Sequence, residues 1–172
     1  MQKQVNAVTF KGNPLTLVGP KLKAGDKAPD FTCLHVLDPI KLTQTPAKPR
    51  LFSVVPSLDI PVCDQQTRKF DESLAKLKDK VACYTVSLDL PFAQARFCGA
   101  ANIHNMKTIS DVHDHSFGKN YGVLIEGLPL ALLTRAIFVV DSKGTITYAE
   151  YVPEVTSHPD YEAALHALEA AH

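Results

Sequence analysis

Two short apolar runs, Leu51–Val55 and Val81–Leu88, each lead through a proline into a stretch suited to a helix, and this alternation constrains the fold more than any other feature. After the first run, Val62, Phe70, Leu74 and Leu77 fall on one helical stripe, with Pro61 near its first turn. After the second, Asp89-Leu-Pro91 supplies a capping residue and a proline start for a helix through about Cys98. The product is a βαβα unit, which needs parallel strands joined by helical crossovers.

The flanks extend this unit. Around Gly12-Asn13-Pro14 the runs on either side are rich in β-formers, which predicts an N-terminal hairpin over residues 5–18. Pro29, Pro39, Pro46 and Pro49 interrupt the segment from Lys23 to Arg50, leaving room for short extended pieces such as residues 31–36. Gly118 to Gly127 reads as a turn region. Near the end, Arg135–Val140 and Thr145–Val152 form a strand pair about the turn at Asp141–Gly144, followed by a helix from about Pro159 to Ala170. These elements predict an α/β, thioredoxin-like fold: an N-terminal β-hairpin and a central mixed sheet flanked by helices.

At 172 residues and 45% hydrophobic content, the chain suits a single domain spanning 1–172. Eighteen basic residues balance eighteen acidic ones, so the basic footprint that nucleic acid requires is missing. The N-terminus has no apolar leader and no run of transmembrane length occurs, which argues against a membrane and for the cytoplasm.

Four cysteines without a close CxxC pair suggest neither a disulfide scaffold nor a zinc site. Cys63 stands in the first turn of a helix that follows a strand, where free N–H groups and the helix dipole favour thiolate. That placement suits a nucleophile and a small buried hydrophobe equally well. Cys83 and Cys33 lie in apolar extended segments and read as inert core residues. Asp111-Val-His-Asp-His115 lacks a helical histidine pair and reads as a solvated loop with helix-capping residues rather than a metal site. Ser57 and Asp59 lack a GxSxG elbow and read as backbone caps near Pro61.

The segment Pro56-Ser-Leu-Asp-Ile-Pro-Val-Cys63 resembles the signature of the peroxiredoxin superfamily, with Pro56 seven residues before Cys63. Ser87-Leu-Asp-Leu-Pro-Phe-Ala-Gln-Ala-Arg-Phe-Cys98 is similar to the resolving-cysteine region of its bacterial thiol peroxidase branch. The likeness continues through Leu133–Asp141, with Arg135 at the active-site arginine position, and through Pro159–Leu165. It implies that the Cys63 thiolate attacks a hydroperoxide, hydrogen peroxide or an organic one, and becomes a sulfenic acid. Arg135 and backbone N–H groups would hold the departing oxygen, and Arg135 would lower the thiolate pKa. Cys98 would then form an intrasubunit disulfide, reduced by thioredoxin. The resemblance further implies a homodimer without metal, haem or flavin, and local unwinding at Cys63 to admit the disulfide. Pro56, Ile60 and Arg135 would contact substrate. At Ile60 the chain departs from the signature, which has Thr or Ser there; an aliphatic side chain offers no hydrogen bond to sulfur or peroxide. This departure motivates a rival reading, a redox-responsive binding or regulatory protein with slow thiol oxidation.

Overall fold

A computed structural model of the chain describes residues 1–172. It opens with the antiparallel hairpin β1 (Lys3–Phe10) and β2 (Asn13–Val18), closed by a turn in which Lys11 and Gly12 both have positive φ. A second hairpin follows, β3 (Thr32–His35) and β4 (Asp38–Lys41). The expected core unit is β5 (Arg50–Val54), α1 (Pro61–Leu74), β6 (Ala82–Ser87), α2 (Pro91–Ala101) and β7 (Lys107–Ser110). The chain continues through α3 (Ser116–Asn120), β8 (Leu124–Glu126), β9 (Ala136–Val140), β10 (Ile146–Tyr151) and α4 (Tyr161–Ala170).

Seven strands build the main sheet in the order β10-β9-β5-β6-β7-β3-β4. Strands β5, β6 and β7 run parallel, and β9 joins β5 antiparallel. Every residue of β5 and of β9 is buried, as expected of central strands covered on both faces. The period of two divides their side chains between two cores. Phe52, Val54, Phe138 and Val140 join Phe31, Phe117 and Tyr121 on one face. Leu51, Ile137 and Val139 meet Phe70 and Leu74 of α1 and Ala164 and Leu168 of α4 on the other. The buried stripe of α1 therefore fixes which turn of that helix faces the sheet and carries Cys63 with it. No helix is long and apolar enough to cross a membrane.

Several expectations change in detail. The region 118–127 contains the end of α3 and the strand β8, which pairs with β2 through Thr16↔Glu126, Leu17↔Ile125 and Val18↔Leu124. The N-terminal hairpin thus belongs to a separate three-stranded sheet, β1-β2-β8. Asp89 does not cap α2: the N-cap is Leu90, with no side-chain hydrogen bond. Asp111 is buried rather than solvated. Its carboxylate accepts the N–H groups of Phe117 (2.9 Å) and Gly118 (2.7 Å), and burial pushes its pKa up to about 6. Cys33 and Cys83 are buried in β3 and β6, and burial pushes both thiols up, Cys83 to about 12.

Candidate active site

Strand β5 delivers the chain through Pro56 to a short loop, and α1 begins at Pro61, whose missing N–H costs nothing in a first turn. Cys63 is the third helical residue and is fully buried, packed with Val55 and Leu58 and against the partly buried Ile60 and Phe97. Ile60 is the N-cap. Its backbone carbonyl accepts the Asp64 N–H at 3.0 Å, but its side chain cannot cap, so no side-chain acceptor serves the first turn. A Thr or Ser at this position usually offers its hydroxyl to the N–H of the second or third helical residue, and here the third is Cys63 itself.

Arg135, just before β9, is 1% exposed and points its guanidinium at the sulfur. Nη2 donates to Cys63 Sγ at 3.3 Å, Nη1 to Gln66 Oε1 at 2.9 Å, and Nε to the Val155 carbonyl at 2.9 Å. Gln66 is itself held, donating through Nε2 to Ser53 Oγ on β5 at 2.7 Å. A buried guanidinium is tolerable only when its donors are paired, and these three bonds also fix its direction. The Arg135 charge and the Ser57 backbone N–H favour the thiolate, as expected for Arg135, but burial outweighs both and the Cys63 thiol is pushed up.

Pro56 and Ile60 line a cavity of about 160 Å³ together with Leu15, Ile125, Leu132 and other apolar residues. The small sheet supplies much of that wall. Cys98 lies in the last turn of α2, half-buried, its sulfur 3.7 Å from Thr108 Oγ1. All four cysteines are free thiols. Cys63 and Cys98 sit in different apolar clusters, and Phe97 packs against both.

The structure therefore joins Pro56, Ile60, Cys63 and Arg135 in one site and leaves Cys98 on the neighbouring helix. Sequence reasoning missed Gln66, Ser53 and Asp89. For Gln66 a signal existed, since it lies three residues after Cys63 and shares its helical face. For Asp89 the capping pattern misled: its carboxylate turns instead to the loop before α1, accepting from Ser57 Oγ at 2.7 Å and the Leu58 N–H at 2.8 Å.

A buried cysteine in a helix's first turn, facing a fixed guanidinium at the ends of two central strands of an α/β sheet, defines a thiol-based oxidoreductase. Residues 23–165 match the Redoxin family model. The chain is 55% identical over 166 residues to a thiol peroxidase of Halalkalibacterium halodurans, covering 96% of this chain and 98% of that one. With a thiol peroxidase of Bacillus subtilis the identity is 52%, over 95% and 96% of the two chains. Among solved structures, a peroxiredoxin-like protein from Aquifex aeolicus superposes with a TM-score of 0.89 at 40% identity, covering 95% of this chain and 96% of that one. The chain belongs to the Redoxin family and, within it, to the thiol peroxidases. Its fold is thioredoxin-like and its activity is that of a thiol-dependent peroxidase.

Proposed function

We propose that Cys63 is the peroxidatic cysteine, Arg135 its electrostatic partner and Cys98 the resolving cysteine of a thioredoxin-recycled peroxidase. The observation that carries this reading is the 3.3 Å contact from Arg135 Nη2 to Cys63 Sγ in the first turn of α1. A thiolate there attacks the nearer oxygen of a hydroperoxide. The S–O bond forms as the O–O bond breaks, and the alcohol or water leaves with a proton. Arg135 and the free N–H groups of the helix start stabilise the charge on the departing oxygen. The resulting Cys63 sulfenic acid condenses with the Cys98 thiol: the S–S bond forms and water leaves. Thioredoxin then exchanges its dithiol for that disulfide.

Hydrogen peroxide and organic hydroperoxides are both substrates in this reading, and the apolar cavity at Pro56 and Ile60 suits the carbon chain of the latter. The unit acts as a single domain and as a homodimer, in the reducing cytoplasm. Ile60 weakens catalysis, because loss of one polar contact to the reacting atoms costs on the order of a hundredfold in rate.

The test is peroxide consumption coupled to NADPH through thioredoxin and its reductase. Turnover vanishes in Cys63→Ser, and thioredoxin no longer supports it in Cys98→Ser. Ile60→Thr raises the rate of Cys63 oxidation. If Cys63→Ser kept wild-type turnover, or if Ile60→Thr and wild type were both inactive, this assignment would be wrong.

A further inference from the structure

The carboxylate of Asp89 occupies an unusual place between the two cysteine-bearing segments. It lies two residues past the end of β6 and two before α2, yet most of its hydrogen bonds reach elsewhere. Oδ1 accepts Ser57 Oγ at 2.7 Å, and Oδ2 accepts the Leu58 N–H at 2.8 Å and Ser87 Oγ at 2.7 Å. Ser87 Oγ in turn receives Gln94 Nε2 of α2 at 3.0 Å, and the Asp89 carbonyl accepts Ser110 Oγ of β7 at 2.5 Å. None of the ion pairs in the chain includes Asp89, so neutral donors alone hold the carboxylate. Bonds from neutral donors to an ionised acceptor are short and strong, and these converge on one side chain.

The loop it grips is the one that frames the sulfur. The Ser57 backbone N–H favours the Cys63 thiolate while the Asp89 charge opposes it, and Leu58 is packed against that cysteine. One carboxylate therefore ties the wall of the Cys63 pocket to the strand end and to the helix that carries Cys98.

We propose that Asp89 is a positioning residue for the peroxidase reaction: by clamping Ser57 and Leu58 to the entry of α2 it keeps the Cys63 pocket closed for attack on peroxide and resists the opening that lets Cys63 meet Cys98. The inference rests on the reading of Cys63 and Cys98 given above. In the closed site the Cys63 thiolate takes one oxygen from a hydroperoxide, and the sulfenic acid can take a second from another hydroperoxide to become a sulfinic acid, releasing a second alcohol or water. In the opened site the Cys98 sulfur displaces the sulfenic hydroxyl as water and the disulfide forms. The clamp favours the first pair of reactions over the last.

The full chain, reduced, is mixed rapidly with hydrogen peroxide, quenched with a thiol-blocking reagent and weighed as intact protein, for wild type, Asp89→Asn and Ser57→Ala. Asp89→Asn is expected to slow Cys63 oxidation by about tenfold, less than loss of a direct contact to the reacting atoms costs, because the variant also removes the Asp89 charge that pushes the Cys63 thiol up. It is also expected to speed conversion of sulfenic acid to disulfide several-fold and to lower the sulfinic fraction at high peroxide. Ser57→Ala keeps the backbone N–H and loses one donor to the clamp, so its ratio of the two rates lies between the others. A variant that merely destabilises the fold slows both steps together, and an unchanged ratio in Asp89→Asn overturns the proposal. Should Asp89→Asn fail to fold, an unchanged ratio in Ser57→Ala overturns it as well. A wild type that forms no Cys63–Cys98 disulfide brings down the reading of the two cysteines and the clamp with it, whereas an unchanged ratio beside a normal wild-type disulfide removes the clamp alone.

Discussion

Arg135 carries a full charge into a place with 1% exposure. Three partners answer it, and only Cys63 among them can change its own charge. When the thiol ionises the guanidinium gains a counter-ion, so the pair resists the upward push of burial on the thiol. Arg135→Met should therefore move the pH dependence of Cys63 oxidation to higher pH and slow the reaction at neutral pH by about a hundredfold. A pH–rate profile from rapid mixing with peroxide checks this, and a profile that stays in place would sink it. Cys63 was visible in the sequence because a helix start can be read from Pro61 and the stripe that follows. Arg135 was visible only through family likeness, since a lone arginine before an apolar strand has no local signature. Gln66 stayed hidden for a rotational reason: residues 65 and 66 are both glutamine, one exposed and one buried, and only the about 100° step between them decides which meets Arg135.

At the scale of elements, both cysteine helices have weak ends. Helix α1 begins on Ile60 and α2 on Leu90, neither with a side-chain cap, and a missing cap costs about 1 kcal/mol. Cys98 sits in the final turn of α2, followed by Gly99 and closed by Asn102 in the left-handed conformation. A glycine inside a helix costs about 1 kcal/mol relative to alanine. A Cβ built on Gly99 meets nothing within 4 Å, so Gly99→Ala is sterically free. It should raise stability by about 0.5–1 kcal/mol in urea unfolding and, by holding the Cys98 turn wound, slow disulfide formation after peroxide without slowing the first oxidation. Faster or unchanged disulfide formation would show that the Cys98 turn stays wound and that any unwinding is confined to Cys63. The starts of α1 and α2 were legible to within a residue or two, because proline marks a first turn. Strand β8 was not, since three residues between glycines carry too little pattern and their partner, β2, lies more than a hundred residues earlier. Asp89 was misassigned for a related reason: an aspartate before Leu-Pro fits a cap, and two of its actual partners, Ser57 and Leu58, are about thirty residues away in sequence.

Across the whole molecule, the small β1-β2-β8 sheet is fastened to the main sheet's far end by the segment after β10. The Glu154 carboxylate accepts Thr9 Oγ1 at 2.9 Å, the Lys11 N–H at 3.1 Å and the Gly12 N–H at 2.9 Å, together with the Thr156 N–H at 2.9 Å and its Oγ1 at 2.7 Å. These bonds hold Glu154 down to a pKa of about 2. A carboxyl whose folded pKa lies below its unfolded value stabilises the fold above about pH 4.5 and loses that contribution as pH falls towards 2. The urea midpoint of Glu154→Gln should thus lie below that of wild type at pH 6, with the gap shrinking steadily from pH 5 to pH 3. A gap that stayed constant would show that the ionised form contributes nothing. The next residue, Val155, turns its carbonyl to Arg135 Nε, while its N–H bonds to the Thr9 carbonyl at 2.8 Å. One peptide stretch is therefore a hinge pin with a load on each end, the appendage on one and the Arg135 guanidinium on the other. Pruning the chain to its seven-stranded layer would spare both cysteines and every residue of the signature, yet it would loosen one of the arginine's three anchors, so the outlying hairpin is coupled to the site rather than an ornament to a borrowed scaffold.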